Sequence, residues 1–136
     1  MGIKQTLFDQ YDYDIVEDFT IHYSIMTYQM ENLIIYLAKA DRYKNNIKEL
    51  FRIAHNIKSA ASFLKLDQIL KLAILLEEVL EEAREIEGPA SDDFIDWLLN
   101  VKDQFAMYNE DLENDRESFS EFNPDIIKIP TKLEKE

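Results

Sequence analysis

The sequence predicts an all-α protein, an up-down-up-down antiparallel four-helix bundle with an additional C-terminal tail. Three observations carry that expectation. Glycine occurs only twice and proline three times in 136 residues, too few for hairpins and phosphate-cradling loops, which need glycine at special backbone angles. Four long stretches repeat apolar side chains at helical spacing. The joints between them are short, and short joints force neighbouring helices to run antiparallel. The length fits one domain, read as a bundle over residues 1–117 followed by a tail over residues 118–136.

The first helix is expected from about Asp14 to Lys39, with Ile15, Phe19, Met26, Met30, Leu33 and Leu37 on one stripe and Asp12 or Asp14 as its cap. Asp41 to Asn46 reads as a polar joint, Asn45 or Asn46 capping a second helix that ends near Leu64. Lys65-Leu66-Asp67 is a very short joint, and Asp67 suits the cap of a third helix over about Gln68 to Glu87. Gly88-Pro89 is a stop signal, glycine just past a helix and proline after it. Ser91 then caps the fourth helix, where Asp92 and Asp93 suit the positive end of the helix dipole. Its stripe is Phe94, Trp97, Leu98, Val101, Phe105, Tyr108 and Leu112. Beyond Glu117 the periodicity lapses, yet Phe122, Ile126, Ile127 and Ile129 keep the tail apolar. It either packs back along the bundle or holds a partner.

Composition narrows the function classes. With 28 acidic against 15 basic residues the formal charge is -13, which opposes nucleic-acid binding because neutralising phosphates needs a basic face. The chain has no cysteine, so thiol nucleophiles, redox motifs and zinc ribbons are excluded. No run approaches the roughly 18 apolar residues of a membrane span, and no basic-then-apolar leader is present, so no membrane association and a cytoplasmic location are expected. No cofactor is implied, and no metal, since no second histidine lies at ligand spacing.

The chemistry rests on two histidines. His22 projects to the edge of the first stripe, near Phe19 and Met26, and reads as a boundary residue. His55 projects away from Leu50, Ile53, Ala54, Ile57, Ala60, Ala61 and Leu64, and shares its exposed side with Lys48, Arg52, Lys58, Ser59 and Ser62. An idle histidine on a solvated face is the plain alternative. Glu77 weighs against it. This carboxylate projects among Leu66, Leu70, Ala73, Ile74 and Leu80, where it is costly unless hydrogen-bonded. His55 lies 11 residues before Leu66 and Glu77 lies 11 after it, so an antiparallel pair sets them at one height. Glu77 then accepts from one ring N–H and leaves the other nitrogen as an exposed nucleophile. That arrangement suits reversible phosphorylation. The phosphoryl group adds roughly two negative charges, which Lys58 and the Ser59 hydroxyl partly offset. A hydrolase triad lacks a glycine-rich oxyanion turn here.

The run Glu49-Leu50-Phe51-Arg52-Ile53-Ala54-His55-Asn56-Ile57-Lys58-Ser59-Ala60-Ala61-Ser62-Phe63-Leu64 resembles the signature of histidine-containing phosphotransfer (HPt) domains. That signature has a phosphorylated histidine, a lysine three residues on, a glycine next and small residues after it. The continuation Leu66-Asp67-Gln68-Ile69 and Leu76-Glu77-Glu78-Val79-Leu80-Glu81-Glu82-Ala83-Arg84 is similar to the phosphotransfer domain of chemotaxis-type histidine kinases. In that group a glutamate on the next helix bonds the histidine ring, and Glu77 stands at its position.

The resemblance implies the bundle fold, phosphorylation on the outer ring nitrogen of His55, and exchange with the aspartate of a response-regulator receiver domain. It places the chain in a bacterial-type two-component phosphorelay, with a histidine kinase as a further partner. Ser59 stands where the family has glycine, and Lys65 replaces the glycine usual near the helix end. Both departures bear on transfer rate and partner choice. Nothing resembles a nucleotide-binding kinase module, so the expectation is a phosphoryl carrier and not an enzyme. The alternative is a non-transferring helical adaptor that binds signalling proteins.

Overall fold

A computed structural model describes residues 1–136. It is all-helical, with α1 (Ile3–Gln10), α2 (Tyr13–Ile35), α3 (Ala40–Phe63), α4 (Asp67–Ala83) and α5 (Asp92–Glu113), and with 3₁₀ turns at Tyr36–Ala38 and Pro124–Ile127. The buried apolar residues form one contiguous core. Helices α3 and α4 run in opposite directions, since Tyr43 pairs with Ala83 while His55 pairs with Glu77. Helices α2 and α5 do likewise, through Tyr23 with Phe105 and Glu31 with Lys102. No helix is long and apolar enough to cross a membrane.

Several elements depart from the sequence expectation. Helix α1 was not foreseen, because its eight residues are too few to show a period and only Leu7 is a buried side chain. Helix α3 begins at Ala40, so the polar joint ahead of Asn46 is helical and neither Asn45 nor Asn46 is its cap. Tertiary contacts explain this. The Tyr43 hydroxyl donates to the Ala83 carbonyl at 2.7 Å, and Asn46 Nδ2 donates to the Leu33 carbonyl at 3.1 Å. Along α2 the inner positions are Val16, Phe19, Tyr23, Thr27, Met30 and Ile34, whereas Ile15 is exposed. Helix α4 stops at Ala83, and Asp67 is its first residue, with Leu66 in the cap position. Ser91 does cap α5, its hydroxyl accepting from Phe94 N–H at 3.1 Å.

The α3–α4 joint is a Schellman closure. Leu66 N–H bonds the Ala61 carbonyl at 2.9 Å and Lys65 N–H bonds the Ser62 carbonyl at 3.2 Å, the pairing that satisfies the last free carbonyls of a helix. Lys65 occupies the left-handed position with φ 57, which is costly for a residue with a Cβ. Gly88 sits at φ +82 with the Tyr43 ring where a Cβ would go, so a side chain there is excluded both by backbone and by space.

The tail turns back along α5 on polar rungs. Asp111 accepts from Ser120 N–H at 2.6 Å and from Arg116 Nη1 at 2.6 Å. Gln104 accepts from Asn123 N–H at 2.7 Å, and Trp97 Nε1 donates to the Ile126 carbonyl at 2.8 Å. Ser91 N–H donates to the Leu133 carbonyl at 2.8 Å. Asp111, Gln104 and Trp97 are spaced by seven residues, two turns of helix, so they share one face of α5. Ile126 and Leu133 are buried in the core.

Two stability changes follow. Ile126→Ala leaves a cavity at a fully buried site and lowers unfolding free energy by about 2–4 kcal/mol in urea titration. Lys65→Gly relieves the left-handed strain in excess of glycine's added chain entropy, raising stability by about 0.5–1 kcal/mol. A lower midpoint for Lys65→Gly would mean that the lysine makes a compensating contact.

Candidate functional site

Helix α3 buries Leu50, Ile53, Ala54, Ile57 and Ala61, which turns the intervening His55 outward with its side chain 55% exposed. Helix α4 buries Ala73, Leu76 and Leu80. Glu77 sits at the edge of that face, its side chain 16% exposed. The antiparallel pairing brings the two together, with His55 Nδ1 3.1 Å from Glu77 Oε2. The other carboxylate oxygen, Oε1, accepts from Lys58 Nζ at 2.7 Å. A single carboxylate therefore bridges the imidazole and the ammonium.

Burial by itself pushes the Glu77 carboxyl up. The hydrogen bonds and charges of Lys58 and His55 outweigh that effect and hold it below its ordinary value of 4.5. An ionised carboxylate only accepts hydrogen bonds, so Nδ1 carries the proton and the neutral ring keeps its lone pair on Nε2. The ring is thus oriented, and its free nitrogen faces solvent.

His55, Glu77 and Lys58 form one cluster, and Ser59 lies exposed on the same outer strip of α3. The pairing of Lys58 with Glu77 was missed from the sequence, because height matching about Leu66 compares backbone positions, while a lysine stem reaches across a turn. His22 lies apart. It stands on the α2 wall of a groove of about 540 Å³ between α2 and α3, opposite Arg52, Asn56 and Ser59. Phe19, Met26, Ala60 and Leu64 line its interior, and the exposed Ile15, Ile25 and Phe63 border it. No group of three or more His, Asp or Glu side chains is arranged to hold a metal ion.

Residues 26–115 match the family model of the Hpt domain. The chain is also 32% identical over 90 residues to the sensor histidine kinase CheAY of Helicobacter pylori, a stretch that covers 66% of this chain and 11% of that protein. It therefore spans about a tenth of that relative's length. No solved structure matches the chain.

The bridging carboxylate makes a titration prediction. A carboxyl held low in the folded state stabilises the fold above its ordinary value, and that contribution is lost as pH falls through the lower folded value. Lys58→Met keeps the aliphatic stem but removes the charge, so the Glu77 carboxyl moves up and the acid-side stability shrinks. Carboxyl ¹³C NMR of Glu77 in both proteins measures the change. Equal midpoints would mean that the Lys58–Glu77 pair does not form in solution.

Proposed function

Because the chain belongs to the Hpt domain family, we propose that it is a histidine phosphocarrier of a two-component phosphorelay, accepting and donating a phosphoryl group at His55. The carrying observation is the His55–Glu77 hydrogen bond on an exposed helix face, 3.1 Å long, which leaves Nε2 free as a nucleophile. A non-transferring adaptor has no use for an oriented imidazole.

In this reading the Nε2 lone pair attacks the phosphorus of an aspartyl phosphate on a receiver domain. The N–P bond forms, the P–O bond to the aspartate breaks, and the electron pair leaves with the aspartate carboxylate. The Nδ1 proton stays in place, so the phosphorylated ring is cationic, and the charge of Glu77 stabilises it. Reversal donates the group. Phosphoryl transfer needs positioning and charge neutralisation more than covalent machinery, and the Lys58–Glu77 pair and the exposed Ser59 stand beside the ring where that surrounding is built. The chain carries phosphoryl groups made by a histidine kinase and does not make them from a nucleotide. The four longer helices, α2 to α5, serve as the up-down-up-down scaffold, with residues 118–136 as an appended strap. The apolar groove beside the outer strip, bordered by Ile15, Ile25 and Phe63, offers the receiver domain a seat next to His55.

The test uses receiver domains charged with acetyl phosphate. Incubation with the chain should yield an acid-labile, alkali-stable phosphoryl group, and His55→Gln should abolish it. The melting temperature should stay nearly unchanged, since an exposed substitution costs under about 0.5 kcal/mol. Labelling that persists in His55→Gln, or that maps to His22, rejects the site.

A further inference from the structure

Two cations flank His55 along α3, Lys58 inside the cluster and Arg52 outside it, and their places suit them to different work. At 100° per residue, Lys58 lies about 60° to one side of His55, while Arg52 and Ser59 lie about 60° and 40° to the other. The Lys58 side faces α4, where Lys58 Nζ and His55 Nδ1 share the Glu77 carboxylate at 2.7 and 3.1 Å. The Arg52 side faces α2, where Arg52, Asn56 and Ser59 line the groove. In an imidazole the two nitrogens point in divergent directions across the ring. With Nδ1 held by the Glu77 carboxylate on the α4 side, Nε2 is the ring nitrogen turned away from that carboxylate, and Arg52 and Ser59 stand on the flank of His55 opposite α4.

Arg52 is equipped for an anion there. Its side chain is 58% exposed and its charge is held only by Glu49 on its own helix. That contact uses Nε at 3.3 Å and Nη2 at 2.7 Å on one carboxylate oxygen, which leaves Nη1 without a hydrogen-bond partner. A guanidinium presents five N–H donors in a fixed fork matched to phosphate oxygens, so it can meet a phosphoryl group while still facing Glu49.

We propose that Arg52 is the cation that holds the phosphoryl group on His55 Nε2, and that Lys58 is a positioning residue acting through Glu77. This deepens the phosphocarrier reading and rests on it. In the transfer step Arg52 forms no covalent bond and loses no proton. Nε2–P forms and P–O to the donor aspartate breaks, while Arg52 N–H groups bond the non-bridging oxygens, whose negative charge they offset. Glu49 competes for the same guanidinium.

The experiment measures the maximal rate and half-saturating concentration of transfer from a receiver domain charged with acetyl phosphate. The full 136-residue chain is used with Arg52→Ala, Arg52→Lys, Glu49→Gln, Lys58→Ala and Glu77→Gln, and with two double variants. Losing a charge-assisted hydrogen bond in the transition state should lower the maximal rate of Arg52→Ala about tenfold or more, with partial rescue by lysine. Glu49→Gln should keep or raise the rate, although it removes a surface pair. The losses from Lys58→Ala and Glu77→Gln should overlap, because both act on one carboxylate, whereas those from Arg52→Ala and Glu77→Gln should multiply. A rate for Arg52→Ala within about twofold of the unaltered chain overturns the assignment, and so does an effect confined to the half-saturating concentration. Phosphohistidine in the unaltered chain with an unchanged Arg52→Ala rate sinks this assignment alone. No phosphohistidine in the unaltered chain sinks the carrier reading and this assignment with it.

Discussion

The register between α3 and α4 is the constraint on which the rest depends. It is pinned at both ends. At one end the Leu66–Ala61 and Lys65–Ser62 bonds close the turn, and at the other the buried Tyr43 hydroxyl reaches the Ala83 carbonyl. A slip of one residue would turn Glu77 by about 100° and shift it about 1.5 Å along the helix, which parts it from both His55 and Lys58. The contact of Glu77 with His55 and Lys58 is thus set by packing remote from it. The cation–π stacking of Arg84 over Phe51 at 4.6 Å and the bond from Lys44 to the Arg84 carbonyl at 3.0 Å reinforce the same pairing from outside.

How much of this was legible in the sequence depends on whether the signal was local or tertiary. The start of α5 followed from Gly88, Pro89 and the Ser91 cap, which act within a few residues of themselves. The meeting of His55 and Glu77 followed from counting outward from Leu66, because one short turn fixes the register of both helices. The start of α3 was not legible, since Tyr43 and Asn46 are drawn into the helix by Ala83 and Leu33, residues distant in sequence. The rungs along α5 were hidden for another reason. Gln104 and Asp111 are polar residues, yet each is only 1% exposed, and their partners are backbone and side-chain groups of an aperiodic segment. The outer face of α2 shows the converse failure. Ile15 was assigned to the buried stripe but is exposed, and Val16 takes the inner place.

Charge is partitioned as deliberately as apolarity. The chain carries a formal charge of -13, yet the outer strip of α3 holds Lys48, Arg52 and Lys58. The exposed side of α4 holds Glu78, Glu81 and Glu82, and Glu85 follows in the turn just past its end. A partner with its own charge asymmetry would be oriented by that dipolar surface before contact, an effect that acts on the association rate more than on affinity. The single carboxylate that crosses the boundary, Glu77, is drawn into the basic strip.

The strap along α5 has a mechanical consequence. Its bonds lie one after another along the helix, at Ser91, Trp97, Gln104 and Asp111. Force applied at the C-terminus would therefore load them in series, and each rung would bear the whole load alone. The packed helices resist a pull along their axes differently, with many contacts sheared in parallel. The molecule would then yield like a zipper before it yields like a rod. Its sole tryptophan, bonded to Ile126 partway along the seam, would register the opening while the pairing of α3 with α4 still held.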